Sequence, residues 1–252
     1  MKILISILSH EGNPHYIALE NAIRETWGGL KCNHQNIVDI IYYYGKPSLG
    51  SDHKLDGDKL WVKSQEGYFN TWNKTLMMFD FISKNYEFDC LFRTNLSSYI
   101  DLKLLQEFAK KNYNEDFYCG CLGNLGQGKF ASGAGYFLSH KLVKELADEK
   151  ESLFKEYIDD LSLGECMMKR NISPHLGERY GAEGSFDDVS NKLTKTSSRG
   201  WNGGEEGEGS DHGRGTILHD IDHYHYRLHT TKGNRSDDIK KMHFIHELKN
   251  KR

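Results

Sequence analysis

Lys2 to Ser9, KILISILS, is a run of Ile and Leu that begins almost at the first residue. Both alternating faces of such a run are apolar, which fits a strand buried on both sides, as in a parallel sheet. A strand of that kind needs helices on its two faces, so the segments that follow must supply them. Asn13-Pro14 is a helix start, with Asn13 as the cap and Pro14 at the first helical position. His15 to Trp27 then carries Ile17, Leu19, Ala22 and Ile23 at helical spacing.

The alternation continues. Asn36–Tyr44, Lys59–Val62 and Phe88–Arg93 read as strands, and Gly67–Asn85 and Leu102–Lys111 as helices, with a polar loop over Gly45–Gly57. After residue 115, Phe117–Leu122 and Ala134–Ser139 read as strands. Lys141–Ala147, Ile158–Arg170 and Asp237–Lys249 read as helices, and His219–Leu228 as extended chain. Ser198–Gly215 is rich in Gly and charge, and a mobile loop is expected there. The pattern predicts an α/β fold with a mixed, mainly parallel sheet flanked by helices. Ligands in open sheets of this class bind beyond the carboxyl ends of the strands. Leu91–Leu102, LFRTNLSSYIDL, runs from a strand through a polar turn to a helix start, which makes Asn95–Ser98 a candidate site.

Composition narrows the function. A net charge of −3 argues against a general nucleic-acid binder. The five Cys lack the regular spacing of a secreted disulfide framework, so reduced thiols are expected. The apolar start is too short for a membrane span and lacks a signal-peptide layout, which points to a cytoplasmic protein with no membrane span.

Three motifs carry chemistry. Gly123 to Lys129 fits the Gly-x4-Gly-Lys spacing of a phosphate loop, but Phe130 stands where Ser or Thr should hold magnesium, so a glycine-rich turn is expected. His223, His225 and Arg227 alternate onto one strand face, as metal ligands, a cationic face for phosphate, or solvated edge residues. Lys232 and Arg235 in the following turn would add to a phosphate site. Asp159-Asp160 opens a helix, where acids serve as caps or, facing a cleft, as a general base.

Segments in order then match one pattern: Ala22–Gly28 (AIRETWG), Glu66–Thr75 (EGYFNTWNKT), Phe130–Ser139 (FASGAGYFLS) and Ile158–Gly164 (IDDLSLG). Together they resemble the β-1,3-galactosyltransferase and Fringe-like glycosyltransferases. The resemblance implies a single GT-A-like domain over residues 1–252, with a nucleotide-binding half (1–115) and an acceptor-side half (116–252). It also implies a nucleotide-sugar donor, with a UDP-sugar inherited from the family, a glycan acceptor and an inverting mechanism. The family's catalytic base falls on Asp160, with Asp159 the adjacent acid.

Two departures stand out. The family's metal-binding acids fall on Asn95 and Ser97, and neither is an anionic ligand. Three answers stay open. Cationic side chains replace the metal, with Arg93, His225, Arg227 and Lys232 as candidates. A metal such as Mn2+ binds weakly through the diphosphate. Or catalysis is lost, leaving a glycan or nucleotide-sugar binder. The favoured expectation is an enzyme without a metal cofactor. The chain also lacks the amino-terminal anchor of eukaryotic members, which points to a bacterial or viral cytoplasm. On this reading Ser9, His10, Glu11 and Arg24 border the base and ribose. Trp27 serves packing or function equally well. Asn95, Ser97 and Ser98 lie under the donor, and Gly133, Ala134, Gly135 and Tyr136 shape the donor-sugar and acceptor side. The 198–215 loop is expected to close over the donor.

Overall fold

The computed structural model describes residues 1–126, 128–182, 186–187, 223–229 and 235–251. The 198–215 loop, Lys232 and residues 219–222 lie outside them. Strands are β1 (Ile3–Leu8), β2 (Ile37–Gly45), β3 (His53–Asp56), β4 (Lys59–Val62), β5 (Cys90–Asn95), β6 (Ser98–Ile100), β7 (Tyr118–Leu125), β8 (Gly128–Ser139), β9 (His175–Leu176), β10 (Tyr180–Gly181) and β11 (His225–Arg227). Helices are α1 (Pro14–Glu25), α2 (Thr71–Asn85), α3 (Leu102–Asn112), α4 (His140–Asp148), α5 (Lys150–Leu153), α6 (Asp159–Lys169) and α7 (Asp237–Asn250).

An eight-stranded sheet runs in the order β3-β4-β2-β1-β5-β8-β7-β9, and a three-stranded sheet in the order β10-β11-β6. Strands β4, β2, β1 and β5 are mutually parallel, while β8 and β7 add antiparallel. The fold is thus α/β with a mixed, mainly parallel large sheet.

Both faces of the sheet are buried, and the side-chain alternation of the strands assigns each face its cover. Ile3, Ile5 and Ile7 pack with Ile23 and Trp27, Leu105 of α3, and Met242 and Ile245 of α7. Leu4 points the other way, into a cluster with Trp72 and Phe79 of α2, Leu142 of α4 and Met167 of α6. Asn13 caps α1 as its sequence predicts, its side chain accepting from His15 N at 3.0 Å. Trp27 is fully buried and its indole donates to Ser98 O at 3.0 Å, so it packs and braces rather than binds.

The strand boundaries depart from expectation in three places. The Gly45–Gly57 loop contains β3, which turns at Gly57 (φ +60°) onto β4. The polar turn after β5 runs directly into β6. And β8 begins at Gly128, well before Ala134, because it forms a hairpin with β7 closed at Gly126 (φ +58°). A strand follows Lys129, not a helix, and its side chain is exposed, so the Gly123–Lys129 segment is a hairpin tip and not a phosphate loop.

Candidate functional site

Two adjoining clefts open at the carboxyl ends of β1 and β5, where an open sheet of this kind places ligands. The first has a volume of about 470 Å3 and takes Ser9, His10, Lys74, Asn95, Ser97 and Arg227 into its wall, with Asn13, Tyr16, Glu66, His229 and Arg235. The second, of about 410 Å3, is bounded by Arg93, Gly133, Ala134, Asp159, Asp160 and Arg179. Leu8, Tyr68, Thr71, Asn95 and Arg227 border both.

The turn after β5 is fixed by Asn95. Its Oδ1 accepts from Ser97 N at 3.1 Å, from Ser98 Oγ at 3.3 Å and from Arg227 Nη1 at 2.6 Å. The first bond makes an Asx turn. Ser97 Oγ accepts from Arg235 Nη2 at 2.7 Å and lies 3.3 Å from Asp238 Oδ2. The turn therefore offers a divalent cation no carboxylate, and its amide oxygen already receives an arginine. Among the described residues no three His, Cys, Asp or Glu side chains come together as ligands. The donor set does not fit the metal that the family resemblance implies.

Asp159 and Asp160 open α6 and diverge. Asp159 is 6% exposed and pairs with Arg93, which is 1% exposed. Burial pushes the Asp159 carboxyl up to about 6, against the pull of Arg93. Asp160 is partly exposed, and its Oδ2 accepts from Gly133 N at 2.7 Å. Gly133 O in turn accepts from Arg93 Nη1. A Cβ on Gly133 would stand 3.1 Å from Asp160 Oδ2, 3.3 Å from Arg93 Nη1 and 3.3 Å from Asp159 Oδ1, so only glycine brings this peptide between the two acids without displacing them.

Other expected residues sit elsewhere. Arg93 is committed to Asp159, to Tyr43 Oη at 2.9 Å and to Gly133, so it organises the acids and does not offer its charge to a diphosphate. His225 is buried, and burial together with Arg179 and Arg227 lowers its pKa well below the usual range, so it is neutral. Its Nε2 lies 3.1 Å from Ser98 Oγ. Ser98 is itself buried beneath the turn rather than in the cleft. Gly135 packs on the His225 ring, and Tyr136 is fully buried with the Arg93 guanidinium 5.5 Å from its ring centre; neither reaches a cleft wall. Arg24 is held by Asp58 and by Glu20 at 2.9 Å, stacks 4.2 Å from the Tyr42 ring centre and lines a separate cavity with Asp58 and Gly28. It borders neither cleft. Glu11 is turned to the Trp61 indole and also borders neither.

The structure adds residues that spacing did not single out. Lys74 is buried, donates to Ser9 O at 3.0 Å and pairs with Glu66 at 2.7 Å; burial lowers its pKa. Both stand in the EGYFNTWNKT segment, whose helical pattern gives no sign that Lys74 points at a strand end. Arg179 donates to Ser132 Oγ at 3.0 Å from a stretch with no motif. His229 is lowered to about 4 by burial and by Arg227 and Arg235, and is neutral. The charged groups of the first cleft are thus cationic, apart from Glu66.

No family model matches the chain, and no curated protein matches it. Among solved structures, the chain is similar to a glycosyltransferase involved in the glycosylation of the major capsid of PBCV-1, at 9% identity over 95% of this chain and 99% of that one, with a TM-score of 0.49. It is also similar to the apo-form glycosyltransferase GlyE of Streptococcus pneumoniae TIGR4, at 13% identity over 69% of this chain and 45% of that one, with a TM-score of 0.38. Both scores lie below 0.5, so the functional reading rests on the site itself. No described helix is long and apolar enough to cross a membrane.

Proposed function

We propose that this chain is an inverting glycosyltransferase that moves a sugar from a nucleotide-sugar, a UDP-sugar by family resemblance, to a hydroxyl of a glycan acceptor, with arginines in the place of a metal ion. The observation that carries the reading is the placement of Asp160: a partly exposed carboxylate, oriented by Gly133 N–H, on the wall of a cleft that continues into a basic one.

The donor diphosphate lies against the Asn95–Ser97 turn, where Arg227 donates to Asn95 Oδ1 and Arg235, paired with Asp238 through Nε, donates to Ser97 Oγ, so that the two guanidinium charges border the phosphates. Ser9 and His10 border the nucleoside, backed by Lys74. The acceptor oxygen attacks the anomeric carbon from the Asp160 side. The new C–O bond forms as the bond from that carbon to the diphosphate oxygen breaks. Asp160 takes the hydroxyl proton, and the diphosphate leaves with the bonding electrons into the field of the arginines. The transition state is oxocarbenium-like, as in glycoside hydrolysis. Asp159 serves as the counter-ion that keeps Arg93 and Gly133 in place.

Asp160→Asn tests this. Transfer is expected to fall at least ~100-fold, in the range of a lost general base, while calorimetry with uridine diphosphate gives an unchanged Kd. Full transfer by the variant refutes the assignment. Donor binding by a wild-type protein that transfers to none of a broad acceptor set would mark a binding protein on the same fold.

A further inference from the structure

The most exposed aromatic side chains among the described residues are Tyr68 (68%), Phe69 (59%), Tyr113 (38%), Phe154 (37%) and Tyr157 (36%). All but Tyr113 fall on two short segments, residues 68–69 and 154–157, beside Asp160. Solvated apolar rings on a folded surface mark a binding face when they gather in one place.

These rings stand on a stiff mount. Tyr68 and Phe69 begin the 310 turn Tyr68–Asn70 that leads into α2. Four hydrogen bonds tie that helix start to the segment before α6: Trp72 N to Tyr157 O at 3.2 Å, Trp72 Nε1 to Leu153 O at 2.8 Å, Lys155 N to Asn73 Oδ1 at 2.8 Å and Asp159 N to Thr71 Oγ1 at 3.1 Å. The last of these reaches the residue next to Asp160. Tyr68 and Phe69 meet edge to face, with ring centres 5.4 Å apart. Tyr68 borders both clefts, and burial with the nearby carboxylates of Asp160 and Asp159 pushes its hydroxyl up.

We infer that Tyr68, with Phe69 against its edge, forms a stacking platform for a pyranose ring of the acceptor, which fixes the attacking hydroxyl over Asp160; Tyr157, whose ring has Lys155 Nζ 5.4 Å from its centre, borders it. The inference rests on the transferase reading and names its acceptor subsite. Charge decides the occupant. Aromatic faces carry negative potential, and the C–H face of a sugar, polarised by its oxygens, is their complement. The anionic donor is drawn instead to Arg227 and Arg235. Aromatic side chains also bind at little cost in side-chain freedom, having only two rotatable bonds each.

The test is saturation-transfer NMR with methyl β-glucoside, methyl β-galactoside, methyl β-xyloside and methyl α-fucoside, in parallel with uridine diphosphate calorimetry. At least one glycoside is expected to receive saturation on its ring protons. Tyr68→Ala and Phe69→Ala should each weaken it about three- to tenfold. Tyr68→Phe should keep it, because the ring remains, and Tyr113→Ala should leave it unchanged. Uridine diphosphate should bind Phe69→Ala, Tyr68→Phe and Tyr113→Ala as it binds the wild type.

No saturation of any glycoside, or a signal that survives both alanine variants, overturns the platform. So does a loss of uridine diphosphate affinity in Tyr68→Ala, which would assign the ring to the nucleobase. Self-association that the variants abolish would assign the face to a second copy and overturn it too. If glycosides bind through Tyr68 while the wild type ignores uridine diphosphate, the platform stands as a glycan site and the transferase reading falls.

Discussion

Asp159→Asn sets two physical arguments against each other. Removing one partner of a buried ion pair ordinarily costs about 3–5 kcal/mol, because the other charge is stranded. The Asp159 carboxyl, however, is raised from 3.8 to about 6 with Arg93 already beside it. Desolvation and the like charge of Asp160 together outweigh the pull of Arg93. Arg93 in turn, against its own desolvation, is raised by Asp159, but the carboxyl is the partner that titrates in the accessible range, which makes the ionised acid a net burden on the fold. Below pH 3.8 the folded and unfolded chains both hold the proton, and the group contributes nothing. Between 3.8 and about 6 only the folded chain holds it, so stability falls as pH rises. Above about 6 the loss is complete, at about 3 kcal/mol for a shift of this size at 1.36 kcal/mol per pH unit. Asparagine is neutral at every pH and keeps an oxygen for Arg93. The variant is thus expected to match the wild type near pH 3.8 and to exceed it by up to about 3 kcal/mol at pH 7.5, with most of the gain appearing by pH 6. Urea denaturation at a series of pH values measures the difference, and contributions from groups that do not interact with Asp159 cancel in it. A loss of several kcal/mol at pH 7.5 would refute the reasoning and show that the pair stabilises the fold. A gain would mean that the ionised acid is kept at a stability cost for its role beside Asp160.

Binding of uridine diphosphate is expected to survive a strong chelator unchanged, and manganese should not tighten it; calorimetry in the two buffers decides. Arg227→Ala should weaken that binding about tenfold or more, as loss of a charge-assisted donor does. Gly135→Ala would put a Cβ 2.6 Å from His225 Cε1 and 3.0 Å from Phe92 Cζ, and should lower stability by about 1–3 kcal/mol in urea denaturation. Lys129→Ala, at the hairpin tip, should leave nucleotide binding and stability within error of the wild type.

The parallel core was legible because its signals are local. KILISILS declares a strand buried on both faces, Asn13-Pro14 declares a cap, and both stand where expected. The short strands β3 and β6 were not legible. They exist only through pairing with β4 and β11, and their own residues read as loop. At the site, the turn at Asn95 and the acids at Asp159-Asp160 stand out because strand ends and helix starts are marked in sequence. Charge state was beyond reach. His225 and Arg93 look cationic and available, yet burial neutralises one and Asp159 occupies the other. Arg24, within the AIRETWG signature, turns away from both clefts because Asp58 and Glu20 hold it.

The turn at Asn95 takes its arginines from far along the chain. Arg227 reaches Asn95 across 132 residues and Arg235 reaches Ser97 across 138. The strands that carry the turn, β5 and β6, precede the segments that bear Arg227 and Arg235 by more than half of the sequence. The turn is therefore completed only when those later segments have docked on the sheet. A chain cut after α6 would keep both acids but lose Arg227 and Arg235 together with Tyr226, Met242 and Ile245 of the core around β1, so the order of the turn and the stability of the sheet are expected to fail together.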